Sequence, residues 1–320
     1  MNNYLSIKDI DSLPEWVAMA RKLKESPKAD QELGKGRTIC LLFFNNSLRT
    51  RLSTQKAAMN LGMEVIVMNF GSEGWALEYG DGTIMDQGTS EHVKEAAQVV
   101  SQYCDIIGIR AFAGLADKDR DEAELVLQSF KKHASVPILN MESSVGHPLQ
   151  ALADAITLAE QNTVSRPKVV LSWAPHPKAL PHAVANSFVE MMQLQEDMDF
   201  VITHPEGYEL NPEITKGIKI EYNQEKALEG ADFVYVKNWS NYKDYGKVIN
   251  KDTNWTMTTK KLGNAKFMHC LPVRRNIVVS DDVLDGNRSL VIEQANNRTY
   301  AAQVALKKIL ESFPGTSQGK

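Results

Sequence analysis

The feature that most constrains this chain is a recurring unit, a short continuous apolar run followed by a segment with helical spacing. "TICLLFF" (38–44), "EVIVM" (64–68), "CDIIGI" (104–109) and "VPILNM" (136–141) are apolar without alternation, as strands buried on both faces are. Between the first two the spacing predicts a helix on which Leu48, Leu52, Gln55 and Met59 share one face, with Ser47 as its N-cap and Gly62 as its terminator. Strand, helix, strand in that order demands a parallel pairing through a right-handed crossover.

A second series follows the polar break "QNTVSRP": "KVVLSWA" (168–174), "DFVITH" (199–204), "DFVYVK" (232–237) and "KFMHCL" (266–271), again separated by helical patterns. The economical reading is α/β, two doubly wound units in succession, each around a central parallel sheet. The 320 residues suffice for two such units. Residues 294–313 read as a last amphipathic helix, and the tail "PGTSQGK" as loose.

Composition excludes several partners. A net charge of −4 supplies no broad field for nucleic acid or an anionic membrane, so any anion site must be local. No run approaches the ~18 apolar residues of a membrane span, and acids stand where a signal peptide would be apolar, so a cytoplasmic protein is expected. Cys40, Cys104 and Cys270 are odd in number and widely spaced, suggesting neither a disulfide framework nor a zinc site.

In open parallel sheets, ligands sit beyond the carboxyl ends of the strands. "NNSLRTR" falls there, at the start of a helix whose unpaired amides already favour an anion. Ser47, Arg49, Thr50 and Arg51 add hydroxyl and guanidinium donors suited to a phosphate, although a capping serine and two solvated arginines would also explain the segment. It contains no G-x-x-x-x-G-K-[ST] phosphate loop. Other strand ends carry matching groups: Arg110 after "CDIIGI", His147 and Gln150 in "HPLQ", His269 and Cys270 in "HCLP".

"SLRTR", the arginine after "DIIGI", "HPLQALAD" and "HCLP" occur in the order and spacing of the aspartate and ornithine carbamoyltransferases, which the chain resembles over nearly its whole length. The resemblance implies a carbamoyl-phosphate domain (1–147), an amine-substrate domain (148–293), and a final helix (294–313) returning to the first. It implies a homotrimer with active sites shared between subunits, and no metal or organic cofactor. By the same resemblance, Ser47, Leu48, Arg49, Thr50 and Arg51 hold the phosphate, with Arg298 facing it. Arg110, His147 and Thr50 polarise the carbonyl oxygen, where charge develops on attack. Gln150 and main-chain carbonyls near Cys270 and Leu271 hold the carbamoyl NH2. Trp75, in "GSEGWALE", reaches a neighbouring subunit's site. The attacking amine must be neutral, and with a pKa of about 10.4 its deprotonation at pH 7 costs roughly 4 to 5 kcal/mol. The departing phosphate is a plausible final acceptor of that proton.

Departures from the family pattern bear on the amine. Ornithine enzymes carry D-x-W-x-S-M-G after a second-domain strand, the aspartate grasping the free α-ammonium. Here the segment reads "VKNWSNYKDYG", with Lys237 where an anion would be wanted. An acylated α-amine carries no charge, and the missing aspartate then ceases to be a defect. The chain resembles the branch that carbamoylates Nα-acylated ornithine for arginine biosynthesis. Glu142, His176, Asn186 and Lys237 would line its acylornithine pocket, with Arg274 or Arg275 nearby. Ser90, in "MDQGTSEH", occupies the position where acetyl-specific members place glutamate and succinyl-specific members proline. A small neutral serine neither repels nor displaces a succinyl carboxylate, which favours succinyl over acetyl, with unmodified ornithine third.

Two readings from other classes compete. A nicotinamide dehydrogenase would share the sheets, but "KVVLSWAPHPK" lacks the glycine fingerprint. A silent binding relative is opposed by the intact Arg49, Arg110, His147, Gln150 and Cys270.

Overall fold

The computed structural model describes residues 2–314, so most of the tail read as loose, 315–320, lies outside the described residues. In chain order the strands are β1 (Thr38–Phe43), β2 (Glu64–Asn69), β3 (Leu77–Glu78), β4 (Glu91–His92), β5 (Ile106–Arg110), β6 (Ile138–Glu142), β7 (Lys168–Trp173), β8 (Asp199–Thr203), β9 (Lys219–Ile220), β10 (Phe233–Lys237) and β11 (Lys266–Met268). They form two parallel sheets, β2-β1-β5-β6 and β11-β10-β7-β8-β9, and a small parallel pair, β3-β4. The central strands β1, β5, β7 and β10 are sealed on both faces, as their unbroken apolar runs require. No helix among the described residues is long and apolar enough to cross a membrane.

One expectation is corrected, and the fold decides a helix face that spacing left open. "EVIVM" is not a buried strand: β2 is an edge strand with Glu64 exposed and Ile66 44% exposed, because only β1 pairs with it. The helix after β1 (Arg49–Asn60) turns the opposite face inward. Leu48, Leu52 and Met59 are 66%, 58% and 64% exposed, while Thr50, Ser53, Thr54, Ala57, Ala58 and Asn60 are buried. The small and polar face is inside because the C-terminal helix (Val291–Leu310) packs against it, and small residues let two helix backbones approach closely. Asn60 donates to the Gln303 side chain across that contact at 2.9 Å. Gly62 ends the helix as expected, at φ 80°, whereas the residue at the N-cap is Leu48, one place after the expected Ser47, whose Oγ still accepts from the Thr50 amide at 3.2 Å. A Cβ at Gly62 would sit 1.9 Å from the Gln31 carbonyl, so a side chain there is excluded by space as well as by backbone conformation.

The C-terminal helix is the structural keystone. It packs on the Leu13–Glu25, Arg49–Asn60 and Pro148–Gln161 helices, with Ala301, Ala302, Val304, Ala305 and Leu306 fully buried. The Pro148–Gln161 helix leaves the end of β6 and also contacts the helix Ala183–Met192 beside the second sheet. β11 is shorter than "KFMHCL" suggested, stopping at Met268, and this releases His269 and Cys270 into the loop beyond the strand.

Candidate active site

A cleft of about 700 Å³ opens where the carboxyl ends of β1, β5, β6, β7, β10 and β11 converge. One wall is built by the first sheet. Arg110, the last residue of β5, donates through Nη1 to the carbonyls of Asn45 and Asn46 at 2.9 and 2.8 Å and pairs through Nη2 with Glu142 at 3.0 Å. These bonds pin the loop ahead of Ser47 to the neighbouring strand end. Arg298 reaches in from the C-terminal helix, donating to Thr50 Oγ1 and to His147 Nε2.

Electrostatically this wall lacks an anion. Arg49, Arg110 and Arg298 stand together with Glu142, which is already paired, and the Nε groups of all three arginines are buried without a hydrogen-bond partner. Burial, and then the neighbouring Arg49 and Arg110, push Arg298 down to about 10, with Glu142 opposing. Burial and Arg110 likewise lower Arg49. His147 is held well below the ordinary histidine range, by burial first and then by Arg298, Arg110 and Arg49, so it is neutral at pH 7.

His269 is depressed in the same way, by burial first and then by Lys237 and Arg49; its Nδ1 accepts from the Leu271 amide at 2.8 Å. In the unfolded chain these rings titrate near 6.5. Below that pH the unfolded state takes up protons the folded state refuses, so each ring removes about 1.4 kcal/mol of stability per pH unit until its folded pKa is reached. A His147→Gln variant should therefore lose stability less steeply than the parent between about pH 6.5 and 5.5 in urea melts. Parallel curves would contradict a neutral buried His147.

The opposite wall comes from the second sheet. Lys237 ends β10 and is 8% exposed; His176 follows β7; Cys270, Leu271 and Arg274 follow β11. His176 is lowered by burial first, with Lys237 and Arg274 both near enough to contribute, while its hydrogen bond to Lys178 opposes the shift. Leu271 adopts a left-handed backbone at φ 56° on the rim, a conformation a leucine holds only when its surroundings impose it.

Ser47, Arg49, Thr50, Arg110, Glu142, His147, Gln150, His176, Lys237, Cys270, Leu271, Arg274 and Arg298 are brought together in the cleft. Other expected residues are not. Leu48 points to solvent; Arg51, two residues or about 200° around the helix from Arg49, bonds the Asn69 side chain and lies over the Phe43 ring. Asn186 is buried behind the wall, in a separate smaller cavity, and donates to the Val145 carbonyl at 3.1 Å. It braces the turn before His147, whose amide donates to Ser187 Oγ at 2.8 Å. Arg275 turns away from Arg274 into a pair of carboxylates, Asp281 and Asp285. Trp75 and Ser90 are exposed and do not line this chain's own cleft; Trp75 Nε1 donates to Glu91 at 2.8 Å. Sequence reasoning missed Lys178 and the Phe112–Leu115 segment, which line the cleft. Their only signal was position, just past strand ends.

The chain is thus an α/β protein of two parallel-sheet units with a cleft lined by arginines and a lysine between them. Residues 2–160 match the aspartate/ornithine carbamoyltransferase carbamoyl-P binding domain and residues 181–309 the Asp/Orn binding domain of that family. The chain belongs to the aspartate/ornithine carbamoyltransferase family. It is 47% identical over 319 residues to the N-succinylornithine carbamoyltransferase of Bacteroides fragilis, covering 98% of this chain and 100% of the relative. With the N-acetylornithine carbamoyltransferase of Xanthomonas axonopodis pv. citri it shares 34%, covering 96% and 94% of the two chains. Among solved structures, a glutamate-to-serine variant of N-acetyl-L-ornithine transcarbamylase complexed with carbamyl phosphate and N-succinyl-L-norvaline superposes with a TM-score of 0.89 at 32% identity, over 97% of this chain and 100% of that one.

Proposed function

We propose that this enzyme transfers the carbamoyl group of carbamoyl phosphate to the δ-amine of N-succinyl-L-ornithine, releasing phosphate. The observation that carries the reading is the charge balance of the cleft: cations on both walls, with Glu142, the cleft's acid, held by Arg110. Carbamoyl phosphate brings a dianionic phosphate to the first wall. N-Succinylornithine brings two carboxylates and no α-ammonium to the second, where Lys237 and Arg274 stand. A free ornithine would place its ammonium beside Lys237. The 47% and 48% identities to two N-succinylornithine carbamoyltransferases support the same choice.

In this reading Ser47, Arg49, Thr50 and Arg298 bind the phosphate. Arg110 and Thr50 donate to the carbonyl oxygen as the δ-amine attacks and negative charge collects there, and Gln150 with main-chain carbonyls beside Cys270 and Leu271 holds the carbamoyl NH2. His147, in the tautomer that accepts from Arg298 at Nε2, orients that guanidinium in the free enzyme; once Arg298 rotates toward bound phosphate, transfer of the ring proton from Nδ1 to Nε2 lets the neutral imidazole donate to the carbonyl oxygen. The C–O bond to phosphate then breaks with its electron pair going to the phosphate oxygen, which takes the proton lost by the attacking amine and leaves as the hydrogen phosphate dianion.

We further propose a homotrimer in which Trp75 and Ser90 enter a neighbour's cleft. Their exposure in the single chain supports it, as does the exposed stripe of Leu48, Leu52 and Met59 along the Arg49–Asn60 helix. The functional test is product formation from carbamoyl phosphate with ornithine, aspartate, N-acetylornithine and N-succinylornithine in parallel. Succinylornithine should be preferred. In a Ser90→Glu variant its kcat/KM should fall by roughly 10-fold or more as a carboxylate faces a carboxylate, with acetylornithine less affected. Preference for free ornithine would sink the reading, and undiminished succinylornithine turnover by the variant would sink the role of Ser90.

A further inference from the structure

We propose that Asp154 is a positioning residue: it fixes the Gln150 amide with its oxygen toward the cleft, so that the site accepts the amino group of carbamoyl phosphate and disfavours acyl phosphates lacking it. The inference rests on the carbamoyl-phosphate reading above and assigns the origin of its selectivity.

The argument begins at a group whose polarity is fixed. The backbone N–H of His269 can only donate, and it donates to Gln294 Oε1 at 3.0 Å. The Nε2 end of Gln294 therefore faces Asp154, donating to Oδ1 at 2.7 Å. Because Oδ1 already accepts from Gln294 it carries no hydrogen, whether or not Oδ2 is protonated, and the same Oδ1 takes a second 2.7 Å bond from Gln150 Nε2. With its nitrogen committed, Gln150 presents Oε1 at its other end, and this oxygen is buried without any partner while Gln150 lines the cleft.

A buried unsatisfied carbonyl oxygen is unfavourable, on the order of 1–3 kcal/mol, and calls for a donor. The amino group of carbamoyl phosphate has two N–H donors and meets that need; a methyl group has none. The three side chains are sealed, Gln150 at 1%, Asp154 at 0% and Gln294 at 1% exposure, so solvent does not compete for the bonds. Burial pushes the Asp154 carboxyl up to about 7, and the bonds from Gln294 and Gln150, with Arg298 close by, pull the other way. The remaining titratable groups facing it are the buried Tyr235 hydroxyl and the Cys270 thiol.

The test uses the full chain and three ligands: carbamoyl phosphate as substrate, and acetyl phosphate and inorganic phosphate as competitive inhibitors. In Asp154→Leu the carbamoyl-phosphate KM should rise about 10-fold or more while the inorganic-phosphate Ki holds within roughly 2-fold, narrowing the preference over acetyl phosphate by about 10-fold, the scale of one hydrogen bond. Asp154→Asn keeps an acceptor for both amides and should restore most of that preference. If Asp154→Leu does not fold, Asp154→Ser, whose hydroxyl is too short to reach Gln150, reads the same ratio. Equal weakening of all three ligands would mean a packing role and overturn the proposal, as would an unchanged preference. A parent enzyme that fails to turn over carbamoyl phosphate would instead overturn the reading beneath it.

Discussion

Replacing Arg49 by alanine should lower kcat/KM by roughly 10³-fold, the scale seen when a charge-assisted donor to a transition-state oxyanion or a buried charge partner is removed. The folded state should be unharmed, for a reason visible in the free enzyme. Arg49 shares its surroundings with Arg110 and Arg298, its Nε has no partner, and Glu142 serves all three. Like charges held this close repel until an anion arrives. Removing one relieves that repulsion, so the melting temperature should stay level or rise. The two measurements together separate a binding residue from a structural one, because a residue that stabilises the fold would lose both properties. A variant within about tenfold of parental activity would overturn the assignment of this wall to phosphate.

Lys237→Ala should produce the second large effect, a loss of roughly 10² to 10³ in kcat/KM for N-succinylornithine with little change in the KM for carbamoyl phosphate. Lys237 is 8% exposed and lines the cleft, so a substrate carboxylate placed against it is sheltered from water and would gain more than at a surface. The split between the two substrates is diagnostic: it locates Lys237 on the acceptor wall. A rise in carbamoyl-phosphate KM equal to the loss for the amine would put the lysine on the wrong wall.

Much of this was legible because the chemistry sits where strands end. β5 and β10 close on Arg110 and Lys237, which the chain reveals by an apolar run breaking at a cation. "HPLQ" and "HCLP" are similarly marked by their place after "VPILNM" and "KFM". Side-chain direction was not legible. Arg274 and Arg275 are neighbours of identical type, yet one lines the cleft and the other bonds Asp281 and Asp285. Asn186 was expected in the acylornithine pocket and braces the turn before His147 instead, since a buried helix face points where its packing partners lie.

The sequence by itself determined two successive parallel sheets, the edge at which ligands meet them, and a local phosphate-type site in a chain of net charge −4. These follow from periodicity and from charge placed at strand ends, which are local properties of the chain. Tertiary structure alone decided which face of the Arg49–Asn60 helix is inside, because that depends on a helix more than 200 residues downstream. It alone decided that Gln150 commits its amide nitrogen to Asp154 and leaves its oxygen without a partner. That polarity is passed from the His269 amide through Gln294 and Asp154, groups that meet only when the second sheet and the C-terminal helix close around the first.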